Sequence, residues 1–245
     1  ARGQRGVAAR GRPDRARRVM NENELAYGAA LRMGRISAWT VVALAVAYVA
    51  TGAVWAATRG NASLTPSDPF LAILETLLLL STPFLLLVSV AVHGSAPASA
   101  RTSSRAALAF MLLAVAITST IHFAQLTVLR RLDPAARAAL APIAAIPWRW
   151  PSLAYGLDLF AWDACFGLAL LFTAPVFPGA GLEAAIRRTL RLAGGLCVAG
   201  TLGPALGDLR FQYLGIVGYA GVFPVACALL ARWFGRAGHR DRASS

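Results

Sequence analysis

Four ionisable side chains, Glu75, His122, Asp158 and Asp163, lie inside long apolar stretches of the chain. A charged carboxylate at the centre of a bilayer costs about 2.5–3.5 kcal/mol on insertion scales, so such residues turn inward and mark a site. Carboxylates beside an imidazole can pass protons, pair with one another or hold a cation. Their spacing puts three of them at one depth. Glu75 is early in its apolar run, His122 late in the next and Asp158 early in the one after. Successive spans run in opposite directions. All three therefore fall toward the same side, each about 7–10 Å from the middle of its span at a rise of 1.5 Å per residue.

Helical faces extend the grouping. Gln125 follows His122 by three positions, and Thr118 and Ser119 precede it by four and three, which makes one polar stripe. Glu75, Thr82 and Ser89 share a face of the preceding run, and Tyr155 and Trp162 share one with Asp158. The expectation is a polar pocket of Glu75, His122, Gln125 and Asp158 in one half of a helix bundle. Asp208 and Arg210 add charge at the same end. Asp163 lies about 140° around its helix from Asp158. It is expected outside the pocket, protonated or hydrogen-bonded.

The elements that must carry these residues are six apolar runs, near 36–58, 69–93, 105–129, 152–176, 188–207 and 211–234. Each is close to the roughly 20 residues that a bilayer core requires. The chain has 245 residues, 57% hydrophobic and 14% charged, against about 25% charged in a soluble domain. This composition excludes a disordered chain and argues against an ordinary soluble enzyme. The runs are too long and continuous for barrel strands. The expected fold is all-α, a polytopic six-helix transmembrane bundle over 36–234. A basic segment at 1–35 and a tail at 235–245 are expected to lack structure. The first run holds 23 residues without charge, more than the apolar core of a signal peptide, and reads as a retained helix. Met20 reads as the natural start, with a lipid-binding basic tail as the alternative for what precedes it.

Between the third and fourth runs, Asp133 and Pro134 read as the cap and first residue of a short helix running to about Pro142. Leu140, Ile143, Ile146, Trp148 and Trp150 make this segment apolar enough to rest at a membrane interface. In the fifth run Gly195, Ala199, Gly203 and Gly207 recur every four residues. With Gly215, Gly218 and Gly221 in the sixth, they predict close helix contact.

The net charge of +13 comes from 24 basic residues, every one an arginine. They cluster at the ends of the apolar runs, which suits membrane orientation better than nucleic-acid binding. With both termini inside, 18 arginines lie on the inner side and 6 on the outer. The expected location is a bacterial inner membrane with both termini cytoplasmic. The abundance of Ala, Leu, Gly and Arg suggests a GC-rich genome. Cys165, Cys197 and Cys227 stand singly in three runs and offer no ligand spacing. Neither a metal nor another cofactor is expected.

Three function classes compete on this reading. A small transporter or proton-coupled permease uses the carboxylates and His122 as exchanging groups. A non-catalytic assembly or sensor subunit needs only the bundle, with a homo-oligomer or membrane partner. A metal-dependent lipid hydrolase is the weakest, because one His with carboxylates is a poor zinc set and no HExxH or GxSxG motif occurs.

Overall fold

A computed structural model describes residues 12–58, 66–144 and 150–244. These residues are almost wholly helical and contain no strand. The elements are α1 (Arg12–Thr58), α2 (Phe70–Gly94), α3 (Arg101–Thr127), the short α4 (Pro134–Ala144), α5 (Leu153–Val176), α6 (Leu182–Leu206) and α7 (Leu209–Gly238). All but α4 lie within or contain a segment that is long and apolar enough to cross a membrane, Ala26–Thr58 in the case of α1. A helix meets every backbone hydrogen bond within itself, which is what an apolar run needs in a lipid core.

The long helices pack in a ring. α1 lies against α2 and α7, α3 joins α2 to α5, and α6 closes the ring between α5 and α7. The apolar core gathers at the end where α1 begins and α7 finishes. Leu31, Val92, Leu190 and Phe234 are buried there, and toward the middle Phe166 meets Phe223 edge-on with ring centroids 4.8 Å apart. The other half of the ring is more open and holds Glu75, His122 and Asp158.

Local chemistry explains how α2 tolerates a proline. Pro83 has no N–H, so it cannot bond the carbonyl four residues back, at Leu79. The Thr82 hydroxyl donates to that carbonyl at 2.9 Å and in turn accepts from the Ser119 hydroxyl of α3 at 3.1 Å. One side chain thus covers the orphaned carbonyl and ties two helices together. α4 starts as its sequence predicts, because Asp133 Oδ1 accepts from the backbone of Ala135 and Ala136, both at 2.9 Å. Ser152 caps α5 by accepting from Tyr155 N at 3.2 Å. Gly207 ends α6 with a φ of 71°, a left-handed conformation that glycine adopts without a Cβ clash.

The terminal segments differ from expectation. α1 begins at Arg12, so residues 12–35 are helical where a structureless segment was expected, and the last helix runs on to Ser244. No proline interrupts the chain between Asp14 and Arg35, and its Ala, Arg, Leu, Met and Glu residues are strong helix formers. An apolar face is not needed for a helix that extends one already nucleated. Residues 1–11, the side chains of 12–25, and the loop residues Ile146, Trp148 and Arg149 lie outside the described residues.

The face through which α6 packs also differs. A Cβ on Gly195 would meet nothing within 4 Å, whereas one on Gly194 would come within 2.7 Å of the Gly167 carbonyl of α5. The buried stripe is Ala193, Gly194, Cys197 and Gly200, continued by Gly203, so of the expected stripe Gly203 packs inward while Gly195 and Gly207 lie outside. Gly218 of α7 meets this stripe, with room for no Cβ beside the Ala193 carbonyl at 2.7 Å. Two π-helical turns, Phe160–Phe166 in α5 and Val217–Val222 in α7, border the same contact.

Candidate functional site: a carboxylate–imidazole–carboxylate cluster

Three helices bring the central residues together. Glu75 from α2, His122 from α3 and Asp158 from α5 meet in the open half of the ring. His122 Nδ1 lies 2.5 Å from Glu75 Oε2, and His122 Nε2 lies 3.1 Å from Asp158 Oδ1. Glu75 and His122 are 4% and 7% exposed. The Asp158 side chain is 16% exposed. The Thr82–Ser119 bond holds α2 and α3 in register about two turns below Glu75.

The bonding pattern sets the charge. Each of the two contacts is a hydrogen bond and needs one proton between its atoms. An imidazolium donating to two carboxylates carries one net negative charge. A neutral imidazole with one carboxyl and one carboxylate carries the same. The cluster is therefore singly negative wherever the two protons rest, and a third proton makes it neutral.

The cluster lines a cavity of about 240 Å³ between α1, α2, α5 and α7. Leucines of α1 and α2 form most of one wall, and Tyr48, Tyr155, Trp162 and Tyr219 bring aromatic rings to it. Trp162 and Tyr219 have ring centroids 5.2 Å apart. The Tyr155 hydroxyl donates to Gln212 Oε1 at 2.7 Å and links α5 to α7 beside the cavity. Among the described residues no arginine lines it.

Other residues singled out by the sequence lie elsewhere. Gln125 is buried on α3 but is not in the cavity wall, and its Oε1 has no hydrogen-bond partner. Three positions along a helix is a turn of about 300°, which swings Gln125 roughly 60° away from the direction of His122. Asp163 is also outside the cavity. It is 0% exposed, and neither carboxyl oxygen has a hydrogen-bond partner. Its carboxyl sits against Gly200 of α6 and Gly215 of α7, where a Cβ on Gly215 would lie only 2.0 Å from Oδ1. Asp208 and Arg210 bond each other at the α6–α7 turn, Nη2 to Oδ2 at 2.6 Å, away from the cluster. Hydrogen bonds from Arg210 hold the Asp208 carboxyl down at about 2.

Tyr48 and Tyr219 are cavity residues that the sequence reading missed. A phenol inside an otherwise aliphatic run was the available signal. Among the described residues no group of three His, Cys, Asp or Glu side chains is arranged to hold a metal. In the cluster itself the two carboxylates bond opposite edges of the imidazole, so their oxygens and its nitrogens do not converge on a point. Comparisons with protein-family models, with curated proteins and with solved structures found no match.

Proposed function

We propose that the protein is a small permease-like carrier of a bacterial plasma membrane, in which the Glu75–His122–Asp158 cluster takes up and releases a proton as solute enters the cavity. The observation that carries this reading is the cluster's position. A proton-holding group with one net negative charge forms part of the wall of a cavity, within a bundle whose opposite half is closely packed. Groups that exchange protons inside a span are what a coupled carrier needs. A subunit with only an architectural role has no use for a cavity beside a surplus charge in an apolar setting. A hydrolase that uses a metal is less well supported, since the donors do not converge.

On this reading both termini are cytoplasmic and the cavity lies in the outer half. α4 rests at the outer interface, with Leu140 and Ile143 exposed to the headgroup region. The lipid bilayer is the surrounding medium, and a second copy of the chain is a fitting partner for the exposed apolar face of α1. The test is proton flux in proteoliposomes carrying a pH dye in the lumen. The wild-type chain dissipates an imposed pH gradient faster than empty vesicles, and Glu75→Gln and Asp158→Asn each return the rate to background while keeping the helical content. Equal rates for the variants and the wild type contradict the carrier.

A further inference from the structure

The cavity presents one sign of charge and several π faces. Glu75 and Asp158 supply a net negative charge that His122 only partly offsets, and among the described residues no arginine reaches the cavity. Trp162 and Tyr219, with centroids 5.2 Å apart, border it, and Tyr48 and Tyr155 add two more rings. Ring faces attract a cation within about 6 Å of their centroid, and the attraction grows where water is excluded. Most of the rest of the wall is apolar, including Leu44, Leu74 and Leu78, with Ser81 and Gln212 as polar members. A bare inorganic cation needs six or so oxygen ligands, and this wall offers few. An anion meets the cluster's repulsion. A neutral apolar molecule leaves the negative charge uncompensated.

We propose that the cavity binds a small monovalent organic cation with an apolar body, such as a benzylammonium or short alkylammonium, in competition with a proton on the Glu75–His122–Asp158 cluster. This identification of the solute rests on the carrier reading of the same site. The ligand's charge compensates the cluster's single negative charge, and its hydrocarbon fills the aliphatic wall. A third proton on a carboxyl oxygen neutralises the cluster and removes the attraction. A cluster that has taken that proton gives it up to bulk water when the cation enters, so occupancy by one excludes the other. The groups facing the cluster are Tyr48 from α1, Tyr155 from α5 and Tyr219 from α7. Asp163 faces α6 and α7 instead, and Asp208 is paired with Arg210. No second cation therefore competes for the site from these neighbours.

The experiment uses the full chain in lipid nanodiscs and equilibrium dialysis of radiolabelled benzyltrimethylammonium. Saturable binding is expected at neutral pH, weakening by roughly tenfold or more once the solution is acid enough to place the third proton on the cluster. Neopentylbenzene has the same shape without the charge and should compete roughly tenfold less well or worse. Phenylmethanesulfonate, the anion, should not compete. Asp158→Asn should abolish binding, and Trp162→Leu, which keeps the charged cluster, should weaken it several-fold. Competition by the neutral compound equal to that by the cation overturns the proposal, as does competition by the anion, pH-independent binding or no saturable binding. These readouts on the wild-type chain do not depend on whether a variant folds. Proton flux without cation binding overturns only this identification of the solute. Saturable cation binding without proton flux when the cation is supplied supports the cation site and overturns the carrier.

Discussion

Asp163 shows what one residue can demand of its neighbours. Its carboxyl is fully buried without a hydrogen-bond partner and fits only because Gly200 and Gly215 have no side chains. Gly215→Ala forces an atom to within 2.0 Å of Asp163 Oδ1, so it should lower stability by about 1–3 kcal/mol. Asp163→Ala in the same chain should recover most of that loss, and thermal unfolding in detergent measures both. Thr82 gives a second case. Thr82→Val strips the hydroxyl that covers the Leu79 carbonyl and accepts from Ser119, and should cost about 0.5–1.5 kcal/mol in the same assay, with Thr82→Ser largely restoring it. Shared depth was legible from residue spacing alone, because helix alternation places Glu75, His122 and Asp158 on one level. Direct bonding was not legible. It depends on how each helix is rotated about its axis, and Gln125, at the same end and three positions from His122, turns away from the cavity.

Among the elements, α6 carries the sharpest contrast between pattern and packing. Its Gly, Ala and Cys residues are dense enough that several stripes fit the sequence, and one residue of phase is 100° of helix face. The partner decides between them. Gly167 of α5 approaches Gly194 and leaves Gly195 on the outside. Gly194→Leu should therefore abolish folded protein on size-exclusion chromatography, while Gly195→Leu should pass through unchanged. Tolerance of Gly194→Leu would show that α5 and α6 do not touch as described. The two π-helical turns had no signature in residue type. They adjust α5 and α7 where these helices meet α6, and α5 points Asp158 to the cavity while Asp163 faces the glycines. The capped start of α4 was fully legible, because Asp133 followed by Pro134 is a local signal that needs no tertiary contact. The helical run of α1 back to Arg12 went the other way. Composition alone suggested a structureless segment, and continuity with a long apolar helix prevailed.

At the scale of the whole molecule the bundle is asymmetric along its axis. Apolar packing fills the half opposite the loop between α1 and α2, and the cavity with its cluster occupies the other. Six spans put residues 62 and 238 on opposite faces of the membrane, so reporter fusions at these points should report opposite sides, and agreement between them would defeat the six-span topology. In the proposed orientation the packed half faces the cytoplasm, as the arginine placement suggests. The class of fold was legible because hydropathy alone selects the spans. The cavity was not, since it arises from the gap between α1, α2, α5 and α7 rather than from any local pattern. On the proposed function the cluster around His122 moves protons. His93 provides the internal comparison, since it lies in the packed half and bonds Ser104 at 2.8 Å, apart from the cavity. The deciding measurement is proton flux in proteoliposomes of the wild type, His122→Ala and His93→Ala. The account predicts that His122→Ala falls to the rate of empty vesicles and His93→Ala keeps the wild-type rate. Flux that survives in His122→Ala, or that is lost equally in both variants, would contradict it.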